Sequence, residues 1–106
     1  MAGQEVLLAR LQDRLELGDA LLVTPATPIT APAIAPLDAD ADLFRRTNLR
    51  ILHFCFIGNY FRMCALALPS GRDAGGLPTG VQFLAKGGDD DRLLSLGLGI
   101  ERALAE

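Results

Sequence analysis

Hydrophobic residues recur along this chain in two rhythms. Between Gln4 and Leu17, Leu7, Leu8, Leu11 and Leu15 stand three and four apart, with Glu5, Arg10, Asp13 and Arg14 on the opposite side. That spacing predicts an amphipathic helix over 4–17, stopped by Gly18. The run Ala20-Leu21-Leu22-Val23 closes on Thr24-Pro25 and has no alternation, as expected of a strand over 20–24 covered on both faces. Pro25, Pro28, Pro32 and Pro36 then hold residues 25–41 extended as a loop. Its composition fits a linker as well as a docked segment, and Ile29, Ile34 and Leu37 are the anchors that favour docking.

Asp40 or Asp42 is placed to cap a helix over 43–57, with Phe44, Thr47, Ile51, Phe54 and Cys55 on one side and Gly58-Asn59 at its end. Ala65-Leu66-Ala67-Leu68 reads as a strand over 65–69. The stretch Thr79 to Ala85, where Val81 and Phe83 alternate with Gly80, Gln82 and Leu84, reads as another over 79–85. The Gly- and Asp-rich residues between them predict a hairpin. Asp89, Asp90 and Asp91 precede a leucine-rich run, which predicts a helix over 90–104 with acidic residues at its positive end. Gly97 and Gly99 cost that helix about 1 kcal/mol each against alanine, and close packing is the better reason for them than chemistry. The expectation is one 106-residue unit of α/β class, a small mixed β-sheet with flanking helices.

Half of the residues are hydrophobic, the high side of the range for a soluble domain at about 45–50%. Ten basic and 13 acidic residues leave a net charge of −3, and the arginines are scattered, so no cationic stripe points to nucleic acid. No apolar run approaches the roughly 20 residues that cross a bilayer, and no basic segment precedes an apolar one at the start, so a cytoplasmic protein without a membrane anchor is expected. Cys55 and Cys64 can form at most one bridge, and free thiols are expected.

Several constellations dissolve when their spacing is checked. His53 and Cys55 are two apart on an expected helix and point to different sides, so they cannot act as base and nucleophile. Asp38, Asp40 and Asp42 begin like a calcium loop, but Leu43 and Leu49 stand where its glycine and closing glutamate belong. Gly97-Leu98-Gly99 has Arg102 in place of the third glycine of a dinucleotide fingerprint. No metal site and no cofactor is expected.

Four blocks in fixed order carry a family resemblance. They are Asp19 to Pro28 (Asp-Ala-Leu-Leu-Val-Thr-Pro-Ala-Thr-Pro), Thr47-Asn48, Ala65-Leu66-Ala67-Leu68-Pro69-Ser70-Gly71, and Gly76-Leu77-Pro78-Thr79-Gly80-Val81-Gln82-Phe83. Asp91-Arg92-Leu93-Leu94 and Glu101 follow. Taken together, the stretch from Asp19 onward resembles the C-terminal part of the amidase-signature serine hydrolases. It departs from them at Arg62 and Cys64, where members often carry glycine and proline.

The resemblance implies a sheet surrounded by helices. It also implies a reaction in which a serine attacks an amide carbonyl, served by a second serine in a cis peptide and by a lysine, with backbone donors for the oxyanion. This chain has only Ser70, Ser95 and Lys86 of those types, none at a matching position, and no Gly-Ser-rich stretch. No catalytic residue carries over. The loop after the first strand and the helix beyond it lie near the substrate cleft in such enzymes, which makes Thr27, Ile29, His53 and Asn59 the expected substrate-lining residues. Docking of the loop by Thr27 and Ile29, and a helix end at Asn59, are the plainer roles for the same side chains.

A tail without its reactive groups leads to the expectation of an amidase portion that is inert alone and that associates with itself or with the missing N-terminal amidase portion. Met1 directly ahead of a helix also fits a complete product, and with it a stand-alone self-associating or binding module.

Overall fold

In the computed structural model, residues 2–17 and 20–105 are described. The expected helix stop at Gly18 lies outside them. Helix α1 (Ala2–Leu17) leads to strand β1 (Leu22–Pro25), and then come α2 (Ile34–Ala39), α3 (Ala41–Ile51) and α4 (Cys55–Tyr60). Strands β2 (Cys64–Arg72) and β3 (Pro78–Ala85) form a hairpin, and α5 (Asp90–Ala105) ends the fold. The sheet order is β1-β3-β2, with Leu22 opposite Leu84 on one side of β3 and Leu66 opposite Phe83 on the other. The α/β class with flanking helices is what the chain adopts. Where the sequence suggests a mixed sheet, both pairings are antiparallel, because β3 lies between two strands that each run against it.

Partners across an antiparallel ladder share a face. One face carries Leu66, Leu68, Phe83 and Ala85, and α5 packs on it through the buried Leu93 and Gly97. A Cβ on Gly97 would overlap Leu66 Cδ2, so the glycine is what lets helix and strand close up. The other face carries Gln82 and Leu84 and meets α4, whose Gly58 lies close against it: an added Cβ would stand a tight 3.1 Å from Leu84 Cδ2.

Two expectations for the middle of the chain need correction. The loop expected over 25–41 contains α2, because Pro36 sits in the first turn of that helix, where a backbone N–H has no intrahelical acceptor to lose. Ile34, expected as an anchor, is 74% exposed. The single helix expected over 43–57 is two helices. Asp40 caps α3, its carboxylate accepting from the N–H groups of Asp42 and Leu43 at 3.0 and 3.1 Å. The ladder then tightens: His53 N–H donates to Arg50 O and Cys55 N–H to Leu52 O, three residues back rather than four. At this break the carbonyl of Phe54 accepts from Gln82 Nε2 at 3.2 Å, a partner on the sheet. Phe44 and Cys55, expected on the inner side, are exposed.

The end of α4 explains the departure at Arg62. Arg62 N–H donates to Asn59 O and Met63 N–H to Gly58 O, the paired closure whose first donor residue, Arg62, takes left-handed backbone. Arg62 has φ 54°, a region glycine enters freely and other residues at a cost of about 1–2 kcal/mol. Arg62→Gly is therefore expected to stabilise the chain by about 1 kcal/mol, less what glycine adds to the unfolded state's freedom. A thermal melt reads it, and a lower Tm for the variant would contradict the assignment.

The molecule is a slab of 47 × 42 × 18 Å with a radius of gyration of 16.2 Å, against about 13 Å for a compact chain of this length. Its accessible surface of 7394 Å² exceeds by about 1,700 Å² the roughly 5,700 Å² usual for a folded monomer of 11.3 kDa.

Candidate functional site

A hollow of about 520 Å³ opens where β1 runs into the proline-rich loop. The chain leaves β1 at Pro25, and Ala26 N–H donates to Gly80 O at 3.0 Å, so the loop starts pinned to β3. Gly80 permits that approach: a Cβ there would stand 3.2 Å from the Ala26 methyl. Thr27 then folds the loop on itself, its hydroxyl donating to Ile29 O. Both side chains line the hollow, Thr27 exposed and Ile29 half-buried. Ser70 and Thr79 reach it from the hairpin, with their hydroxyl oxygens 2.9 Å apart. Ser70 is the extra residue where the β2–β3 register shifts between Pro69 and Gly71, and this bulge sits beside the hollow.

Asp73 ties the loop to the hairpin turn. Its carboxylate accepts from the N–H groups of Gly75 and Leu77, both at 2.9 Å. The Leu77 N–H first and the Thr30 side chain second hold its pKa below the ordinary value. Thr30 also lines the hollow, so the turn and the loop wall are fixed by one carboxylate.

Of the four residues expected to line a substrate, this arrangement brings together Thr27 and Ile29. His53 and Asn59 are not among those lining the hollow. His53 is exposed beside the break between α3 and α4 and meets Phe54 edge to face at 5.0 Å between ring centroids. Asn59 is exposed on α4, and its backbone carbonyl serves the helix closure.

Gln82 and Thr24 join the site without having been expected there. Gln82 is only 8% exposed, and its Nε2 donates to Thr24 Oγ1 at 3.1 Å and to Phe54 O at 3.2 Å. It therefore fixes β1, a wall of the hollow, against the turn after α3. The one signal in the sequence was an amide side chain on the same strand face as Leu84, in a strand whose two faces are both covered.

The lining can hold a ligand but offers little to react with it. It presents the hydroxyls of Thr24, Thr27, Thr30, Ser70 and Thr79 among prolines and aliphatic side chains, with no charged group. Ser70 is paired with a threonine hydroxyl, which is no base for its proton. The thiol of Cys64 donates weakly to Lys86 O at 3.4 Å, and burial, with the Asp90 carboxylate adding to it, pushes its pKa up, away from thiolate chemistry. Among the described residues no three metal-binding side chains gather at one place, and no helix is long and apolar enough to cross a membrane.

The sequence model of the amidase family matches residues 3–94. The chain is similar to 2-amino-5-chloromuconic acid deaminase of Comamonas testosteroni, 31% identical over 92% of this chain and 20% of that protein. It is 42% identical to a glutamyl-tRNA(Gln) amidotransferase subunit from Nitrobacter hamburgensis over 80% of this chain and 16% of that one. With the fatty acid amide hydrolase of Arabidopsis thaliana it shares 32% over 76% of this chain and 14% of the plant enzyme. The chain thus spans a fifth or less of each of these relatives, and with the family match over 3–94 it belongs to the amidase family.

Proposed function

We propose that this chain supplies the C-terminal portion of an amide hydrolase, where it builds part of the substrate wall and holds none of the groups that break the bond. One observation carries this reading. The family match runs through nearly the whole chain, yet the hollow it forms is lined by hydroxyls and aliphatic groups with no nucleophile and base in partnership. Hydrolysis by a serine needs a base within hydrogen-bond reach and fixed donors where the oxyanion forms. In the resembling family those come from a Gly-Ser-rich stretch, a second serine and a lysine outside the blocks found here. The names of the three relatives point to different substrates, so none is carried over. The free thiols of Cys55 and Cys64 go with a reducing, cytoplasmic setting.

The purified 106-residue chain, incubated with acetamide, benzamide and glutamine, is expected to release no ammonia above buffer. Turnover that disappears on Ser70→Ala or Ser95→Ala would overturn the reading.

The surplus of exposed surface favours a second reading, a stand-alone self-associating module derived from an amidase. An 18 Å slab leaves apolar faces open, and large open patches drive association.

A further inference from the structure

The sheet ends at β2. This strand pairs with β3 on one side, and among the described residues no strand pairs with it on the other. From Cys64 to Ser70 it carries no charged side chain; Arg72 is its first. Edge strands are ordinarily guarded by lysine, proline, a bulge or a covering element. Here Pro69 and the bulge at Ser70 guard only the far end. Residues 64–68 keep a regular register with no bulge, and Ala65 and Ala67 are exposed, so the sheet face turned away from α5 is open beside them.

Those five residues are also self-complementary. Cys64, Leu66 and Leu68 project to the α5 side, and Ala65 and Ala67 to the other. In an antiparallel pairing of two copies centred on Leu66 or Ala67, apolar side chains meet apolar ones on both sides and no like charges are opposed across the two-fold axis.

We propose that the outer edge of β2 pairs with the same edge of a second copy, joining two three-stranded sheets into one of six strands. The occupant is a second copy because this apolar, uncharged edge meets no like-charge repulsion from itself. The surface is also ample. The surplus of about 1,700 Å² is about twice what one partner gives up in an interface of standard size. This inference belongs to the self-association reading and needs no amide chemistry, so a failed amidase assay leaves it untouched.

Sedimentation velocity on the whole chain across micromolar concentrations is expected to show a species of twice 11.3 kDa. The double variant Ala65→Lys/Ala67→Lys is expected to sediment at 11.3 kDa with an unchanged circular dichroism spectrum, because both alanines are exposed and paired copies would oppose their lysines. In a second measurement that needs no variant, amide hydrogen exchange across 64–68 is expected to slow as concentration rises while that of β1 stays constant. A wild-type chain that remains at 11.3 kDa overturns the proposal, as does exchange at β2 that ignores concentration. A dimer that survives the lysines but is dispersed by Leu98→Glu on α5 also overturns it, placing the contact on the helix instead. A monomer that associates only when an N-terminal amidase portion is added overturns it in favour of the first reading.

Discussion

Replacing Leu84 with alanine is expected to remove the cooperative unfolding transition or to halve its urea midpoint. Leu84 is 1% exposed, in the middle strand, and the largest side chain buried this completely. Leu22 and Ala65 flank it across the sheet, and a Cβ on Gly58 of α4 would stand 3.1 Å from its Cδ2. A leucine-to-alanine change at such a site costs about 2–5 kcal/mol, the higher values belonging to places that cannot collapse into the cavity. The two strand backbones and the helix glycine are all rigid neighbours, so little collapse is available. The whole stability of a 106-residue chain is about 5–15 kcal/mol, and this one rests on few buried apolar side chains: Leu15, Leu68, Leu84, Ala85 and Leu93 among the described residues. Val23, 55% exposed on β1, supplies the contrast. Val23→Ala is expected to move the midpoint hardly at all, and equal effects at the two positions would contradict this account of the core.

The second large effect is expected at an exposed glycine. A Cβ on Gly87 would run into the carbonyl oxygen of Arg62, a backbone atom locked by the helix closure just before β2. Neither segment can rotate away without breaking that closure or shifting β3 along the sheet. Gly87→Ala should therefore behave like an overpacked core position, costing about 1–3 kcal/mol despite its place on the surface. Gly97→Ala looks worse by burial and is expected to be milder. Its obstacle is Leu66 Cδ2, the end of a side chain that can turn, and alanine returns about 1 kcal/mol of helix propensity. Thermal melts of the two variants decide between backbone and side-chain obstruction; the opposite ranking would refute it.

What could be read from the sequence was the part that local patterning controls. The acidic run before a leucine-rich stretch marks α5, and Asp40 stands where α3 needs a cap. The Gly- and Asp-rich stretch marks the hairpin turn that Asp73 organises. What escaped is controlled by distant contacts. Nothing at Leu52, His53 or Phe54 signals a break, since none is glycine or proline; the Phe54 carbonyl there finds its partner in Gln82, 28 residues on. Pro36 reads as a helix breaker until it is seen in the first turn of α2. Ile34 reads as an anchor because it is large and apolar, and yet the fold leaves it outside.

The site divides in the same way. Thr27 and Ile29 came from a resemblance to a family. Ser70 and Thr79 join them only because an antiparallel hairpin with one extra residue carries them to the end of β1. Gln82 alternates with Val81 and Phe83 in the sequence. Its burial depends on a second layer that strand periodicity does not report.

The 18 Å thickness of the slab has a thermodynamic consequence. A body this thin has hardly any interior to hydrate when it comes apart, and the heat capacity of unfolding scales with the apolar surface newly wetted. Its free energy therefore curves little with temperature. Such a chain is expected to keep a nearly constant stability at temperatures below its midpoint, where a thicker body would pass through a pronounced maximum.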